Sequence, residues 1–356
     1  MILWNNMLQY LKIISFKWVK QKEIFFDNTM NCIIWENGVW KTNILESIGI
    51  LFWNQILSQD IVDMVHNWDD FFYLESRFEY QNIPHTLSLS YDKNLKKKTF
   101  LLNGKKTPQK NLTLYSPLIS AFIPLMMNLF YLGPKYRRDF LDGILKNISP
   151  EYWEVSIKYE KIVKHRNKIL KNISEQLSSV EEIYFWDQEL IKYAEIIYKY
   201  RKECIAFFNE FLWEYIEIFW LKVSNIIFEY KTKTNLENIW ESMKEYLSKN
   251  LQRDIILAKT NIWPHLDDFD IVLDKIWIDS YASRWETKSI IIILKLLELK
   301  YIEKMTGKKA IFLVDDLVSE LDEKHKHLIL ENLRNNQVIL TNIWDIPEMQ
   351  GRKIFI

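Results

Sequence analysis

Residues 33–48, IIWENGVWKTNILESI, have the spacing of a phosphate-binding loop. An apolar strand leads into a short loop, Lys41 and Thr42 follow it, and an amphipathic helix begins there. In such loops the lysine reaches the β- and γ-phosphates, the hydroxyl binds Mg²⁺, and backbone N–H groups at the helix N-terminus surround the phosphates. The spacing therefore predicts an ATP-binding segment that comprises Trp35, Glu36, Asn37, Gly38, Val39, Trp40, Lys41 and Thr42.

Tryptophan occupies the two positions of this loop that require glycine, Trp35 and Trp40. Glycine is required because the backbone turns through positive φ and its N–H groups must approach phosphate without an intervening Cβ. Trp263, which precedes a proline in a loop, and Trp285, which opens a predicted helix, also stand where glycine is expected.

The composition shows the same exchange across the whole chain. It contains 15 Trp and only 7 Gly in 356 residues, whereas an average glycine content of ~7% would give roughly 25.

We hypothesise that the gene uses UGA as a glycine codon, translated here as tryptophan. The alternative is that the tryptophans are real and the site has degenerated. UGG codons at positions 35 and 40 would exclude the recoding.

A second candidate segment is KKAIFLVDDLVSELDEK, residues 308–324. Its apolar run predicts a buried strand that delivers two carboxylates to its C-terminal end, where sites of α/β proteins lie. Asp315 suits Mg²⁺ ligation through water, and Asp316 suits polarising the water that attacks the γ-phosphate, so Asp316 and Lys41 are the predicted catalytic residues. The structural alternative is an acidic turn that caps the following helix.

A third segment, SYASRWETK, predicts a helix start that contains Ser283, Arg284, Trp285 and Glu286. One interpretation is a capping box between Ser283 and Glu286. The other is that the serine and free N–H groups at the helix N-terminus hold the γ-phosphate of a nucleotide bound by a second molecule. Here SRWE, with glycine for Trp285, resembles the signature motif of ABC-type ATPase heads.

The composition, cysteine count and net charge of the chain are compatible with these predictions and argue against a membrane partner. A hydrophobic content of 48% with 26% charged residues is typical of a soluble globular protein. There is no run of about 18 uncharged apolar residues, so we expect no membrane partner. Two cysteines indicate reduced thiols and a cytoplasmic location. The net charge is zero, so an anionic partner must be met by local patches.

The periodicity predicts an α/β fold: a mixed sheet with the phosphate loop and a flanking β-meander at about 72–115, plus a helical lobe with a short antiparallel helical arm. Strands are expected near both ends, including LQYLKIISF, NCIIW, DIILAKT, FDIVLD and KIFI. A second long helix is expected at about 187–230. We therefore predict an ATPase head of residues 1–133 and 251–356 and an inserted helical lobe of residues 134–250.

Taken together, these segments resemble the RecF family of bacterial recombination-repair ATPases. The resemblance runs from about Leu8 to Thr341 and includes three further stretches: GPKYRRDFLD, YEKIVKHRN and WPHLDDF. Two departures are Leu266, where the family usually has arginine, and FIPLMMNLF, which replaces a usually acidic segment.

The resemblance implies a head that dimerises with two ATP molecules between its subunits. Lys41, Thr42 and Asp315 would act in cis with Mg²⁺, and the Ser283 segment would act in trans. It further implies slow DNA-dependent ATP hydrolysis, provided that positions 35 and 40 are glycine in the cell. The implied partners are DNA at single-strand/double-strand junctions and RecO and RecR, which help to load RecA.

Basic residues that could contact DNA form two groups. One comprises Lys96, Lys97, Lys98, Lys105, Lys106 and Lys110 on the predicted meander, and the other is Arg137 with Arg138. A solvated basic face is the alternative for each.

Three other functions are weighed against this one. A chromosome-organising head needs very long coiled coils, which the inserted helices are too short to supply. A kinase or GTPase would leave the signature segment unexplained. A catalytically silent DNA-binding or scaffold protein stays open if the loop tryptophans are real.

Overall fold

The computed structural model describes residues 7–34, 40–52, 60–80, 82–112, 115–219, 221, 223–261, 264–274, 276–277, 284–315, 323–342 and 351–355. Its strands are β1 (Met7–Phe16), β2 (Val19–Phe25), β3 (Met30–Ile34), β4 (Phe71–Tyr80), β5 (Ile83–Asp92), β6 (Lys97–Leu102), β7 (Lys105–Lys106), β8 (Ile119–Phe122), β9 (Ile226–Lys231), β10 (Asp268–Leu273), β11 (Ile276–Trp277), β12 (Ile311–Asp315), β13 (Val338–Asn342) and β14 (Arg352–Phe355). Its α-helices are α1 (Trp40–Leu51), α2 (Gln109–Leu112), α3 (Pro134–Ile148), α4 (Pro150–Ser174), α5 (Glu181–Ile218), α6 (Ile239–Leu257), α7 (Arg284–Thr306) and α8 (Glu323–Leu333).

The chain divides into two compact units. The first unit comprises Met1–Asn128, Tyr215–Trp220 and Lys288–Ile356, and the second comprises Leu129–Glu214 and Leu221–Thr287.

The first unit contains two sheets. One is antiparallel with the order β2–β1–β4–β5–β6–β7, and the other is parallel with the order β14–β3–β13–β12–β8. Strands β3, β12 and β13 are buried at every position, as expected for parallel strands covered on both faces. Helix α1 contributes Ile44, Leu45 and Ile48 to a core that also contains residues of both sheets.

The predicted β-meander is confirmed. Strands β4 to β7 pair with their neighbours in sequence order. Asn103 and Gly104, with φ of 51° and 76°, form the two-residue turn between β6 and β7. Both central residues of such a turn need positive φ, which is why Asn-Gly favours it.

The second unit combines helices with a small antiparallel sheet of order β11–β10–β9. Helices α4 and α5 form the predicted short antiparallel arm, joined by the turn at 175–180. Across the arm, His165 stacks on Trp186 with ring centroids 5.0 Å apart, and Arg166 pairs with Asp187 at 2.6 Å. The mixed α/β fold with a helical part agrees with the sequence prediction.

Two secondary-structure predictions were wrong. DIILAKT, residues 254–260, was expected to be a strand, but it contains the end of α6. Its Asp254 is fully buried and accepts a hydrogen bond from Arg166 at 2.9 Å, so tertiary contacts override the β-branched sequence. The second long helix ends at Ile218, and part of its expected C-terminal half forms β9.

Trp68 has a backbone conformation that suits glycine. Its φ is 75°, in the left-handed region, and its side chain is entirely exposed. A bulky residue in this region is an outlier, because its Cβ crowds the neighbouring carbonyl oxygen. The other tryptophans whose side chains the structure describes do not have positive φ, so this observation supports the glycine hypothesis at position 68 alone.

Among the described residues, none of the helices has the length and apolar content needed to cross a membrane.

Candidate nucleotide site

The candidate site lies where parallel strands of the first unit end. Strand β3 ends at Ile34, and α1 begins at Trp40, so the loop that joins them occupies 35–39. In the register of the sheet, Asp315 at the end of β12 is opposite Thr341 of β13. The C-terminal ends of parallel strands thus bring Ile34, which precedes the predicted loop in the sequence, and Asp315 to one end of the sheet, where α/β proteins bind ligands.

Both carboxylate oxygens of Asp315 accept a hydrogen bond from a hydroxyl group. Thr42 donates to Oδ2 at 2.8 Å, and Thr341 donates to Oδ1 at 2.7 Å. Asp315 and Thr341 are buried, with 6% and 0% exposure. The contact with Thr42 joins the two segments that were predicted separately, although they are 273 residues apart in sequence.

These atoms fit the requirements of Mg²⁺. The ion prefers hard oxygen ligands, usually one or two protein groups together with phosphate and water. A threonine hydroxyl and a carboxylate within hydrogen-bonding distance of each other present two such oxygens.

Lys41 is 8% exposed, at the N-terminus of α1. Within the described part of the chain its ammonium group has neither a hydrogen bond nor an ion pair. A cation that has no acidic partner among the described residues can pair with an anion from outside the chain. The N-terminus of α1 adds a partial positive charge at the same place, so the local charge favours an anion.

A second ion pair lies about one helical turn from Thr42. Lys17, in the turn between β1 and β2, approaches Glu46 of α1 with Nζ–Oε2 at 2.5 Å. Both side chains are largely buried, at 11% and 6% exposure. Burial raises the pKa of the Glu46 carboxyl, Lys17 opposes this shift, and the negative charge of Asp315 adds to it.

Several predicted site residues lie outside the described residues. These are Trp35, Glu36, Asn37, Gly38, Val39, Trp263, Ser283 and Asp316, together with the side chains of Trp40, Lys110 and Arg284. Trp285 and Glu286 lie in the first turn of α7, and the Trp285 side chain is 43% exposed. The helix start predicted in the signature segment is therefore present at Arg284.

The predicted DNA-contact residues lie in different environments. Lys96, Lys97 and Lys98 lie at one end of β6, whereas Lys105 and Lys106 lie on β7 beyond its other end, so the lysines form two groups. All five are exposed. The Lys98 ammonium lies 4.9 Å from the centre of the Phe100 ring.

Arg137 is a structural residue in this fold. It is 7% exposed and makes a bidentate contact with Asp268 at 2.7 and 2.6 Å. Its guanidinium also donates to carbonyl oxygens of the segment before α3, those of Leu129, Phe130 and Leu132. These contacts anchor α3. Arg138 is half-buried and donates to the carbonyl oxygen of Asp267 at 2.6 Å.

Two features of the site were missed in the sequence. Thr341 follows an apolar strand in the same way as Asp315, and parallel pairing of these strands would have placed it beside the carboxylate. The Lys17–Glu46 pair has no local signal, because it depends on how a turn meets a helix.

The architecture defines the class of protein. No protein-family model matches the chain. The chain is similar to a solved structure of "the recombination mediator protein RecF-ATPrS in RecFOR pathway", with a TM-score of 0.89, 25% identity, and coverage of 99% of this chain and 96% of that one. It also shares its fold with an Smc head domain from Pyrococcus furiosus, at a TM-score of 0.51 and 13% identity over 96% of this chain and 90% of that one. The fold is that of an ABC-type ATPase head.

Curated relatives identify the family within this class. A DNA replication and repair protein RecF from Shewanella pealeana is 30% identical over 346 residues, which cover 94% of this chain and 92% of the relative. The RecF of Thermoanaerobacter sp. strain X514 is 29% identical over 338 residues, covering 92% and 91% of the two chains. The chain belongs to the RecF family.

Proposed function

We propose that this protein is an ATP-dependent DNA-binding protein of recombinational repair and replication-fork maintenance in the cytoplasm. The observation that carries the proposal is the Thr42–Asp315 contact beside Lys41, a largely buried residue whose ammonium has no partner within the described residues. A cation and two hard oxygens at the N-terminus of a helix suit a magnesium-bound triphosphate. Membership of the RecF family supports ATP as the nucleotide, because solved structures of RecF-ATPrS and RecF-ATP have the same fold.

Each residue has a distinct role in this proposal. Lys41 binds the β- and γ-phosphates, and the oxygens of Thr42 and Asp315 hold Mg²⁺. The ion, when bound, would neutralise charge that develops on the transferred phosphoryl group. Asp316 would orient and polarise the attacking water.

We propose that residues 1–133 and 251–356 form the ATPase head and that residues 134–250 form the inserted helical lobe. Ser283, Arg284, Trp285 and Glu286 would contact the nucleotide bound by a second copy of the chain, so that ATP joins two heads into a DNA clamp. Slow hydrolysis would open this dimer and release DNA. RecR and RecO would act with the clamp in loading RecA at gaps.

The proposal requires glycine at positions 35 and 40 in the cell. An indole at either position would place a side chain where backbone N–H groups must reach phosphate. The left-handed φ of Trp68 supports the same exchange at an independent position. If the tryptophans are authentic, the alternative is a catalytically silent protein that binds DNA or acts as a scaffold.

Nucleotide binding tests the proposal directly. A fluorescent ATP analogue with Mg²⁺ is titrated against three proteins: the chain with both loop tryptophans, the Trp35→Gly/Trp40→Gly variant, and that variant carrying Lys41→Ala. We expect binding by the glycine variant alone, with a loss of at least roughly tenfold on removal of Lys41. Failure of the glycine variant to bind, with its fold intact by circular dichroism, would contradict the proposal.

DNA contacts are tested through their salt dependence. We propose that the lysines at both ends of β6 contact phosphates, and that Arg138 contributes where its guanidinium reaches solvent. Arg137 is not part of the proposed DNA interface, because its side chain holds α3 to β10. Lys96→Gln/Lys97→Gln should weaken binding at all sequences and flatten the log–log salt slope by roughly 1 to 2.

The matched control is Lys244→Gln/Lys249→Gln, which removes two exposed lysines from α6. This control should leave the slope unchanged. Equal slopes for the wild type and the β6 variant would remove that group from the interface.

A further inference from the structure

A polar cavity lies at the opposite edge of the parallel sheet from Asp315. It is found where β3, β12 and β13 begin, and it has a volume of about 270 Å³. Its lining residues are Met7, Asn28, Thr29, Lys309, Ala310, Arg334, Asn335, Asn336 and Gln337. This cavity plays no part in the proposed ATPase reaction.

The floor of the cavity is held rigid by amide side chains. Gln337 is 4% exposed, and its Oε1 accepts from the backbone N–H of Leu8 at 2.8 Å. Its Nε2 donates to the carbonyl oxygens of Leu8 and Asp27 at 2.7 and 2.8 Å. Asn336 donates to the carbonyl oxygen of Ala310 at 3.0 Å. With these contacts satisfied, the cavity is formed before any ligand arrives.

The walls of the cavity carry positive charge. Lys309 is half-buried, and within the described residues its ammonium has no acceptor. Arg334 is 70% exposed, and its guanidinium lies 3.7 Å from the carboxylate of Glu331. The described residues that line the cavity include no aspartate or glutamate. Asn28 and Asn335 add neutral amide donors, so the lining favours an acceptor with negative charge.

We propose that this cavity binds a carboxylate side chain of an acidic peptide segment in a protein partner. Arg and Lys recognise carboxylates by charge-assisted hydrogen bonds, and Met7 offers apolar contact to the methylene groups of a glutamate. The volume is below the range of about 300 to 1,000 Å³ typical of small-molecule pockets, which suits one or two side chains better than a nucleotide. A cavity with the half-buried Lys309 in its wall and the exposed Arg334 at its rim also fits a protruding side chain better than the convex backbone of duplex DNA.

The test measures binding of a fluorescein-labelled hexaglutamate peptide to the full chain by anisotropy at low salt. The variant Lys309→Gln/Arg334→Gln is expected to weaken binding at least roughly tenfold. Lys244→Gln/Arg253→Gln removes the same charge from exposed positions on α6 and should bind as the wild type does. Equal affinity of all three proteins would overturn the proposal.

A second variant separates the cavity from general electrostatic attraction. Asn28→Asp/Asn335→Asp puts negative charge at the rim without removing a cation, and it should abolish hexaglutamate binding.

Competition distinguishes the ligand chemistry. Unlabelled hexaglutamate should displace the probe, and displacement by equimolar inorganic phosphate or oligonucleotide instead would contradict a peptide ligand. ATP binding by the glycine variant is read separately, so failure of either proposal leaves the other standing.

Discussion

Asp315 links three segments of the chain through one side chain. Its two oxygens accept from a helix residue, Thr42, and from a strand residue, Thr341. A carboxylate held from both sides keeps its orientation before any metal arrives, which lowers the reorganisation needed on binding. The residue pair Thr42 and Asp315 could be predicted from the sequence because each follows a strand with a known motif. Thr341 lies near the end of β13 without a motif of its own, so only the parallel pairing of β12 and β13 identifies it.

The backbone conformation of Trp68 predicts how its substitution changes stability. Trp68→Gly should raise the free energy of unfolding by about 1 kcal/mol, because left-handed backbone costs a bulky L-residue about 1 to 2 kcal/mol and glycine recovers part of this. The exposed indole has little packing to lose. Urea denaturation measures the change.

Trp18→Gly is the matched control, since Trp18 is also exposed but does not have positive φ. It should be neutral or destabilising. Destabilisation by Trp68→Gly would argue that tryptophan belongs at that position.

Helix α1 is held in place by its apolar face and also by an ion pair. Its Ile44, Leu45 and Ile48 are in the core, and its Glu46 is paired with Lys17 from the β1–β2 turn. Ser15 and Lys17, at and next to the end of β1, both have positive φ, at 53° and 49°. This strained backbone places a lysine against the helix that carries Lys41 and Thr42.

The Lys17–Glu46 ion pair predicts that substitutions of its two residues have non-additive effects on stability. Glu46→Leu and Lys17→Met should each destabilise the fold by about 3 kcal/mol, because each leaves a buried partner charge without compensation. The double variant Lys17→Met/Glu46→Leu should cost much less than the sum, since neither charge is then present. Additive losses in thermal or urea unfolding would show that the two side chains act independently.

Elements differ in how far their sequences predict them. The meander has alternating patterns and an Asn-Gly turn, so its strands could be predicted directly. The segment 254–260 could not, because its helical state depends on Asp254 reaching Arg166 of α4, 88 residues away. Strand β9 is similar: it pairs with β10 from Asp268 onwards, and this partner is not evident from the local sequence.

At the scale of the whole molecule, the second unit contains a buried polar network. Arg201 is 3% exposed and contacts Asp142 through two hydrogen bonds at 2.9 Å. It also donates to the hydroxyl of Tyr230 and to the carbonyl oxygen of Pro264. Next to Pro264, His265 lies 3.1 Å from the hydroxyl of Tyr159. The network joins α3, α4, α5 and β9 to the loop before β10.

His265 makes the stability of this unit depend on pH. Burial lowers the pKa of His265 to about 4, and the charges of Arg138, Lys259 and Arg201 act in the same direction. The unfolded chain binds a proton near pH 6.5, so the stability that neutral His265 contributes is full above that pH and is lost as pH falls towards 4.

The corresponding variant is His265→Gln. Between pH 7 and pH 5 the wild type should lose about 2 kcal/mol more than this variant, as the difference in proton uptake requires. His327→Gln, at a position with 62% exposure, should retain the wild-type dependence. Identical pH profiles for the wild type and His265→Gln would exclude this role for the imidazole.

Assembly is the last prediction for the whole molecule. In the Trp35→Gly/Trp40→Gly background, a non-hydrolysable ATP analogue with Mg²⁺ should convert monomer to dimer in sedimentation-velocity experiments. Ser283→Arg in this background should still bind nucleotide but remain monomeric, because in the proposed clamp the serine would contact the partner's nucleotide. Dimers of equal stability with and without nucleotide would contradict an ATP-bridged clamp.

The order of the parallel sheet has a consequence for synthesis on the ribosome. Strand β3 is translated long before its neighbours in the sheet, β13 and β14. Roughly 300 residues must be translated in between, which takes on the order of 15 to 60 s at about 5 to 20 residues per second. During that time the nascent chain presents a largely apolar strand without its hydrogen-bonding neighbours, while the adjoining meander can already form. Chaperone binding to stalled nascent chains should therefore persist until β13 and β14 have been translated, and a truncation before residue 338 should aggregate.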